Sequence, residues 1–199
     1  MWPRFYAKIF FGAWKRPILE EMERLLEQDK WNPLDWHTGM PDLSPDAPVP
    51  PGWHDHSHPD KETAIDYVVH WIGQMKEIHE GIKSIALIGD STTCFWMGYA
   101  AGNWKQSQLE FKEAVHASTG VEPWLYSVSG SSFIKHGKGN WGSFLVQAEL
   151  ASTHKFDAVL LVGGWNEDDG ADISELVIEF TKKAQSLVSD PELAQQVGA

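Results

Sequence analysis

The sequence predicts an α/β protein, a three-layer α/β/α sandwich with a parallel sheet, and three observations carry that expectation. Short apolar runs at 84–88, 124–128 and 156–162 each stop at glycine or serine, as buried parallel strands do on leaving a sheet. Stretches with apolar residues at three- and four-residue steps separate the runs. Strand and helix alternating at this spacing imply crossover connections and strands that all point one way.

The elements follow in order. In residues 1–19 the charged side chains Arg4, Lys8, Lys15 and Arg16 are all basic, and Trp2, Phe5, Tyr6, Ile9 and Phe10 fall at helical spacing. This pattern reads as an amphipathic arm that docks on a protein partner or a membrane surface, or packs on the chain's own body. A short helix is expected at 17–28, with Pro17 in its first turn and Ile18, Met22, Leu25 and Leu26 as its apolar stripe. Seven prolines between Trp31 and Asp60 break any regular element, so this stretch reads as an extended connector. The domain boundary is placed there, with a helical and Pro-rich arm at 1–60 and the α/β domain at 61–199.

Within the connector His54, His56 and His58 stand at alternate positions, which share a face of an extended segment. They are weak candidates for a transition-metal site, and the Pro-rich setting favours a solvated polar loop. The clearest helix spans 61–80, with Ile65, Val68, Val69, Ile72 and Met75 on one side and Gly81 as its stop. Its His70 and His79 have no partner that the sequence identifies. Beyond the first strand, helices are expected at 104–118, 140–154 and from Ile173 to Leu187.

Composition bounds the function classes. Asp plus Glu number 28 against 16 Lys plus Arg, a net charge of −12, whereas binding a phosphate backbone relies on clustered cations; no nucleic-acid partner is expected. No apolar run reaches eighteen residues, so no transmembrane helix is expected, and the first residues lack the order of a secretory signal. The single cysteine, Cys94, excludes an internal disulfide and a multi-cysteine zinc module. The cellular compartment is left open.

The three strand ends carry the chemistry. Gly89-Asp90-Ser91, Ser129-Gly130-Ser131 and Gly164-Trp165-Asn166-Glu167 would lie along one edge of a parallel sheet, where open α/β folds place ligands. A serine at such a turn exposes its hydroxyl, a glycine presents its amide, and an asparagine adds a side-chain donor for a developing oxyanion. Taken in order, the blocks resemble the SGNH hydrolases, the GDSL-like lipase and esterase family, over residues 82–170. The resemblance implies a flavodoxin-like sandwich and a hydrolase of acyl or acetyl esters that needs no cofactor. It implies Ser91 as nucleophile and Gly130 and Asn166 as oxyanion donors, supported by Gly89, Asp90 and Gly164. Glu167 stands where the family has aspartate.

The family's closing block, aspartate-x-x-histidine near the carboxyl end, supplies the general base and its orienting acid. No histidine follows Asn166, and the last in the chain is His154. Three accounts stay open. The chain is a fragment lacking the last strand, helix and base; or it is an inactive subunit with a structural or binding role in a larger assembly; or a histidine from elsewhere, with His136 after Gly130 as the substitute, serves as base. Gly89 to Thr93 as a phosphate cradle is a weaker reading, because the chain lacks the longer loop and lysine of a P-loop.

Overall fold

Five parallel strands form the centre of the computed structural model, which describes residues 5–9, 16–29, 31–34, 46–56, 58–91, 104–134, 142–164, 166–167 and 171–188. They are β1 (Phe5–Ile9), β2 (Asn32–Pro33), β3 (Ser84–Gly89), β4 (Glu122–Leu125) and β5 (Ala158–Gly163). The sheet order is β2-β1-β5-β3-β4. The helices are α1 (Arg16–Gln28), α2 (Lys61–Ile78), α3 (Trp104–Thr119), α4 (Phe144–Ala151) and α5 (Ser174–Leu187).

β5 is apolar from end to end because both its faces are covered and both its edges are paired, and every residue in it is buried. Its side chains alternate between two cores. Val159 and Leu161 join Ala7, Ala86 and Ile88 in one cluster, closed by side chains of α1, α4 and α5. Leu160 and Val162 join Tyr6, Ile85 and Leu87 in the other, closed by α2 and α3. Helices therefore lie on both faces of a parallel sheet, which is the α/β class predicted.

The amino-terminal reading is corrected. Phe5–Ile9 is a strand and not part of a helix-spaced arm, and it pairs with β5 along its whole length, from Phe5↔Val159 to Ile9↔Gly163. Tyr6 is fully buried, and its hydroxyl meets His79 Nδ1, so His79 does have a partner. Tyr6 is thus unavailable as a docking side chain; Trp2, Phe10 and Lys15 lie outside the described residues. The misreading has a physical cause: a strand buried on both faces shows no polar alternation, and the apolar residues Phe5, Tyr6 and Ile9 also match a helical stripe.

The connector also contributes to the fold. β2 pairs with β1 at Tyr6↔Asn32 and Ala7↔Pro33. Pro33 is tolerated there because β2 is the outermost of the described strands on its side, and Pro123 sits in β4 at the other end of the order, so both outer strands carry a residue that cannot extend the ladder. β4 ends earlier than the run at 124–128 suggested, yet Tyr126 N and Val128 N still donate to β3 at Leu87 O and Gly89 O, at 2.9 and 3.1 Å.

Trp31, nearly fully buried, stacks on Phe180 at 5.3 Å between centroids and donates from Nε1 to Thr181 Oγ1 at 2.9 Å. Both cores thus draw on residues from either side of residue 60, and the boundary placed there does not divide them. Among the described residues no helix is long and apolar enough to cross a membrane.

If β1 is an integral strand, Tyr6→Ala is expected to cost about 3–5 kcal/mol, the range for emptying an aromatic site in a core. Urea unfolding checks it; an unchanged midpoint would return this segment to the surface.

Candidate active site

All strands point the same way, so β3 and β5 deliver their last residues to one edge, with Gly89 opposite Val162. Asp90 follows Gly89 and is fully buried; Ser91 is nearly so. The approach of β5 to this turn is close. A Cβ on Gly163 would stand 2.7 Å from Phe144 Cζ and 3.3 Å from Asp90 Oδ2, so only glycine fits.

Asn166 joins the two strand ends. Its Nδ2 lies 3.3 Å from Asp90 Oδ2 and 3.1 Å from Ser131 O, which gives both amide hydrogens acceptors within the fold. Gly130 adopts a φ of 76° in the turn after β4, beside Ser131, whose hydroxyl is 2.7 Å from Val128 O. Glu167 also has a defined place at this edge. Glu167 is fully buried and its Oε1 accepts from Phe133 N at 2.7 Å, fixing the Gly130 turn to the end of β5.

The unforeseen contribution comes from the connector. His58 Nε2 is 2.9 Å from Ser91 Oγ, and His58 Nδ1 is 2.6 Å from Asp55 Oδ2. Asp55 accepts from Nδ1, so Nδ1 carries the proton and Nε2 is left to accept from the serine hydroxyl. Asp55 Oδ1 also accepts from the His58 backbone N at 2.9 Å, so both carboxylate oxygens hold one residue.

This loop is pinned and not merely solvated. His54 N donates to His58 O at 2.8 Å and Asp60 N to Gly52 O at 2.7 Å. Asp60 caps α2 by accepting from Thr63 N at 2.9 Å. Trp53, 8 % exposed, packs against Tyr67 at 6.1 Å, and Tyr67 stacks on Trp71 at 5.9 Å. Burial pushes the Tyr67 phenol up from its ordinary pKa, while a hydrogen bond with the Trp53 side chain pulls it down. Tyr67 is thus both enclosed and tied to the loop.

The structure therefore brings together Ser91, Asp90, Asn166 and the Ser131 turn, and adds Asp55 and His58. The metal reading of the histidines loses its basis: His58 is engaged with Ser91 and Asp55, and His56 Nε2 meets Ala47 O at 2.8 Å. Among the described residues no three His, Cys, Asp or Glu side chains are grouped to hold a metal ion. His136, Thr92, Thr93 and Cys94 lie outside the described residues. The spacing sought after Asn166, aspartate-x-x-histidine, stands at Asp55 to His58, upstream of Ser91. Its legible signal was position, immediately before the helix that feeds β3.

No protein-family model, curated protein or solved structure matches the chain.

Gly52 anchors the loop in a conformation with φ of 81°, and a Cβ there would stand 2.3 Å from Thr63 Oγ1. Gly52→Ala is expected to destabilise the protein by more than about 1 kcal/mol, from the strained backbone and the clash together. In a Thr63→Ala background the same change is expected to cost less, because the clash is gone and only the backbone term remains. Urea midpoints of the four proteins of this cycle check it.

Proposed function

We propose that the protein is a serine ester hydrolase of the SGNH-like type, acting on an acyl or acetyl ester, with its blocks in permuted order. The observation that carries this reading is the continuous hydrogen-bonded line from Ser91 Oγ through His58 to Asp55. A nucleophile, a base in reach of it, and a third group that orients the base are the parts needed for nucleophilic acyl transfer.

The roles follow from the atoms. Ser91 Oγ attacks the ester carbonyl as His58 Nε2 takes its proton, and Asp55 stabilises the imidazolium that forms. The backbone amides of Ser91 and Gly130 hold the oxyanion, and Asn166 turns its longer bond, the one to Asp90 Oδ2, toward the same oxygen. Collapse of the tetrahedral intermediate breaks the ester C–O bond, and the leaving alkoxide takes the proton from His58. Water, activated by the same imidazole, then hydrolyses the acyl-serine and regenerates the hydroxyl. No cofactor enters these steps.

Strand order supports the SGNH-like reading. Counted from β3, the strands β3, β4, β5, β1 and β2 become the first to fifth, and the sheet order becomes 2-1-3-4-5, the flavodoxin-like arrangement. The block with the base then follows the fifth strand, as the family places it. In this reading the strand and base expected beyond Asn166 are supplied by residues before 61. On this reading neither His136 nor an inactive subunit is needed to account for the block missing after Asn166.

Hydrolysis of p-nitrophenyl acetate and labelling by a fluorophosphonate test the proposal. Ser91→Ala is expected to abolish both. His58→Ala and Asp55→Asn are expected to lower kcat by about 10³–10⁴-fold, the cost of losing a base or its orienting acid. His136→Ala is expected to keep wild-type activity. A wild-type protein inert in both assays would sink the reading.

A further inference from the structure

Gln147 is fully buried on α4, and its amide meets the groups that frame the site. Its Oε1 accepts from Gly89 N at 2.9 Å, and its Nε2 donates to Gly89 O and to Ser131 Oγ, each at 2.9 Å, with Gly142 O at 3.4 Å. A primary amide carries the donor and acceptor of a peptide group, so Gln147 bonds both backbone groups of Gly89 as a neighbouring strand would. Gly89 is the last residue of β3, two before Ser91. Ser131 follows Gly130 in the next turn.

We propose that Gln147 is a positioning residue, which sets the Ser91 hydroxyl against the Gly130 amide by holding the end of β3 and the turn after β4 on one side chain. The backbone bond from Val128 N to Gly89 O lies at the very end of β3, and the turns beyond it need a further tie to keep a sub-ångström relation. The single proton of Ser131 Oγ faces Val128 O at 2.7 Å and Gly89 O at 3.0 Å, which holds this turn close to the end of β3. Shape alone does not provide this. Glutamate has the outline of glutamine but no N–H₂, and methionine fills a similar volume with no polar atom.

For its kinetic arm the inference rests on the serine-hydrolase reading. Gln147→Met and Gln147→Glu are expected to lower kcat about 10²-fold, the cost of displacing reacting groups by around 1 Å, while KM for p-nitrophenyl acetate stays near wild type. Fluorophosphonate labelling of Ser91 should slow in parallel. Leu150→Ala, on the exposed face of the same helix, serves as the folding control and should behave as wild type. Folded variants, verified by circular dichroism, whose kcat stays within about twofold of wild type would overturn the proposal.

If wild type and Ser91→Ala are equally inert, the hydrolase reading fails by itself. The bracket is then judged by the ¹H–¹⁵N resonances of Gly89, Ser91 and Gly130. These must move in Gln147→Met, and unchanged resonances would overturn it. Should both Gln147 variants fail to fold, Ser131→Ala removes one partner of the amide and is expected to shift the Gly130 resonance; no shift would again overturn the inference.

Discussion

The pairing of Phe5–Ile9 with Ala158–Gly163 is the constraint on which the rest depends. β5 is the middle of the sheet, with β1 on one edge and β3 on the other. Among the described strands it alone touches both the amino-terminal pair and the pair that carries Ser91 and the Gly130 turn. Each of its alternate side chains seals a different core, so the ladder also fixes α1 and α5 on one face and α2 and α3 on the other. Remove that ladder and β1, with the edge strand β2 paired to it, has no place in the sheet.

Packing, and not charge, holds that loop. Asp55 is about half exposed, at 51 % of its side-chain surface, so its pairing with His58 contributes at most about 1 kcal/mol to stability. Burying Trp53 against Tyr67 is worth more, about 1.5–3 kcal/mol for a large apolar group, and the Asp60 cap adds about 1 kcal/mol. The carboxylate's work is orientation. With one oxygen on the His58 amide and the other on Nδ1, it fixes both the ring and its tautomer.

The sequence made legible what is local. β3 and β5 showed because a fully buried strand is a continuous apolar run that ends in glycine. The long helix α2 showed because Val68, Ile72 and Met75 repeat on one face. Ser91, Gly130 and Asn166 stood out as candidates because strand ends of a parallel sheet share an edge. The hidden part is non-local. β2 has two residues, one of them proline, and only its place at the rim makes it a strand. Gln147 is an amide on a predicted helix, with nothing along the chain to say that its partners lie 58 and 16 residues away.

His58 was the hardest, since its partner Ser91 is 33 residues on, yet the topology contains the answer. In a parallel sheet a helix that feeds a strand runs back along it, so its first turn lies at the edge where that strand ends. α2 spans about 27 Å at 1.5 Å per residue, somewhat more than the roughly 20 Å of β3, so it is long enough to run the whole length of that strand. Its cap is Asp60, two residues after His58. The segment before α2 is thereby bound to meet the turn at the end of β3, where Asp90 and Ser91 stand. In the order the chain adopts, His58 and Ser91 flank one helix-strand unit, α2 and β3, and His58 is placed by a helix cap. Chemistry at a sheet edge depends on which segments arrive there and not on the order in which the chain delivers them.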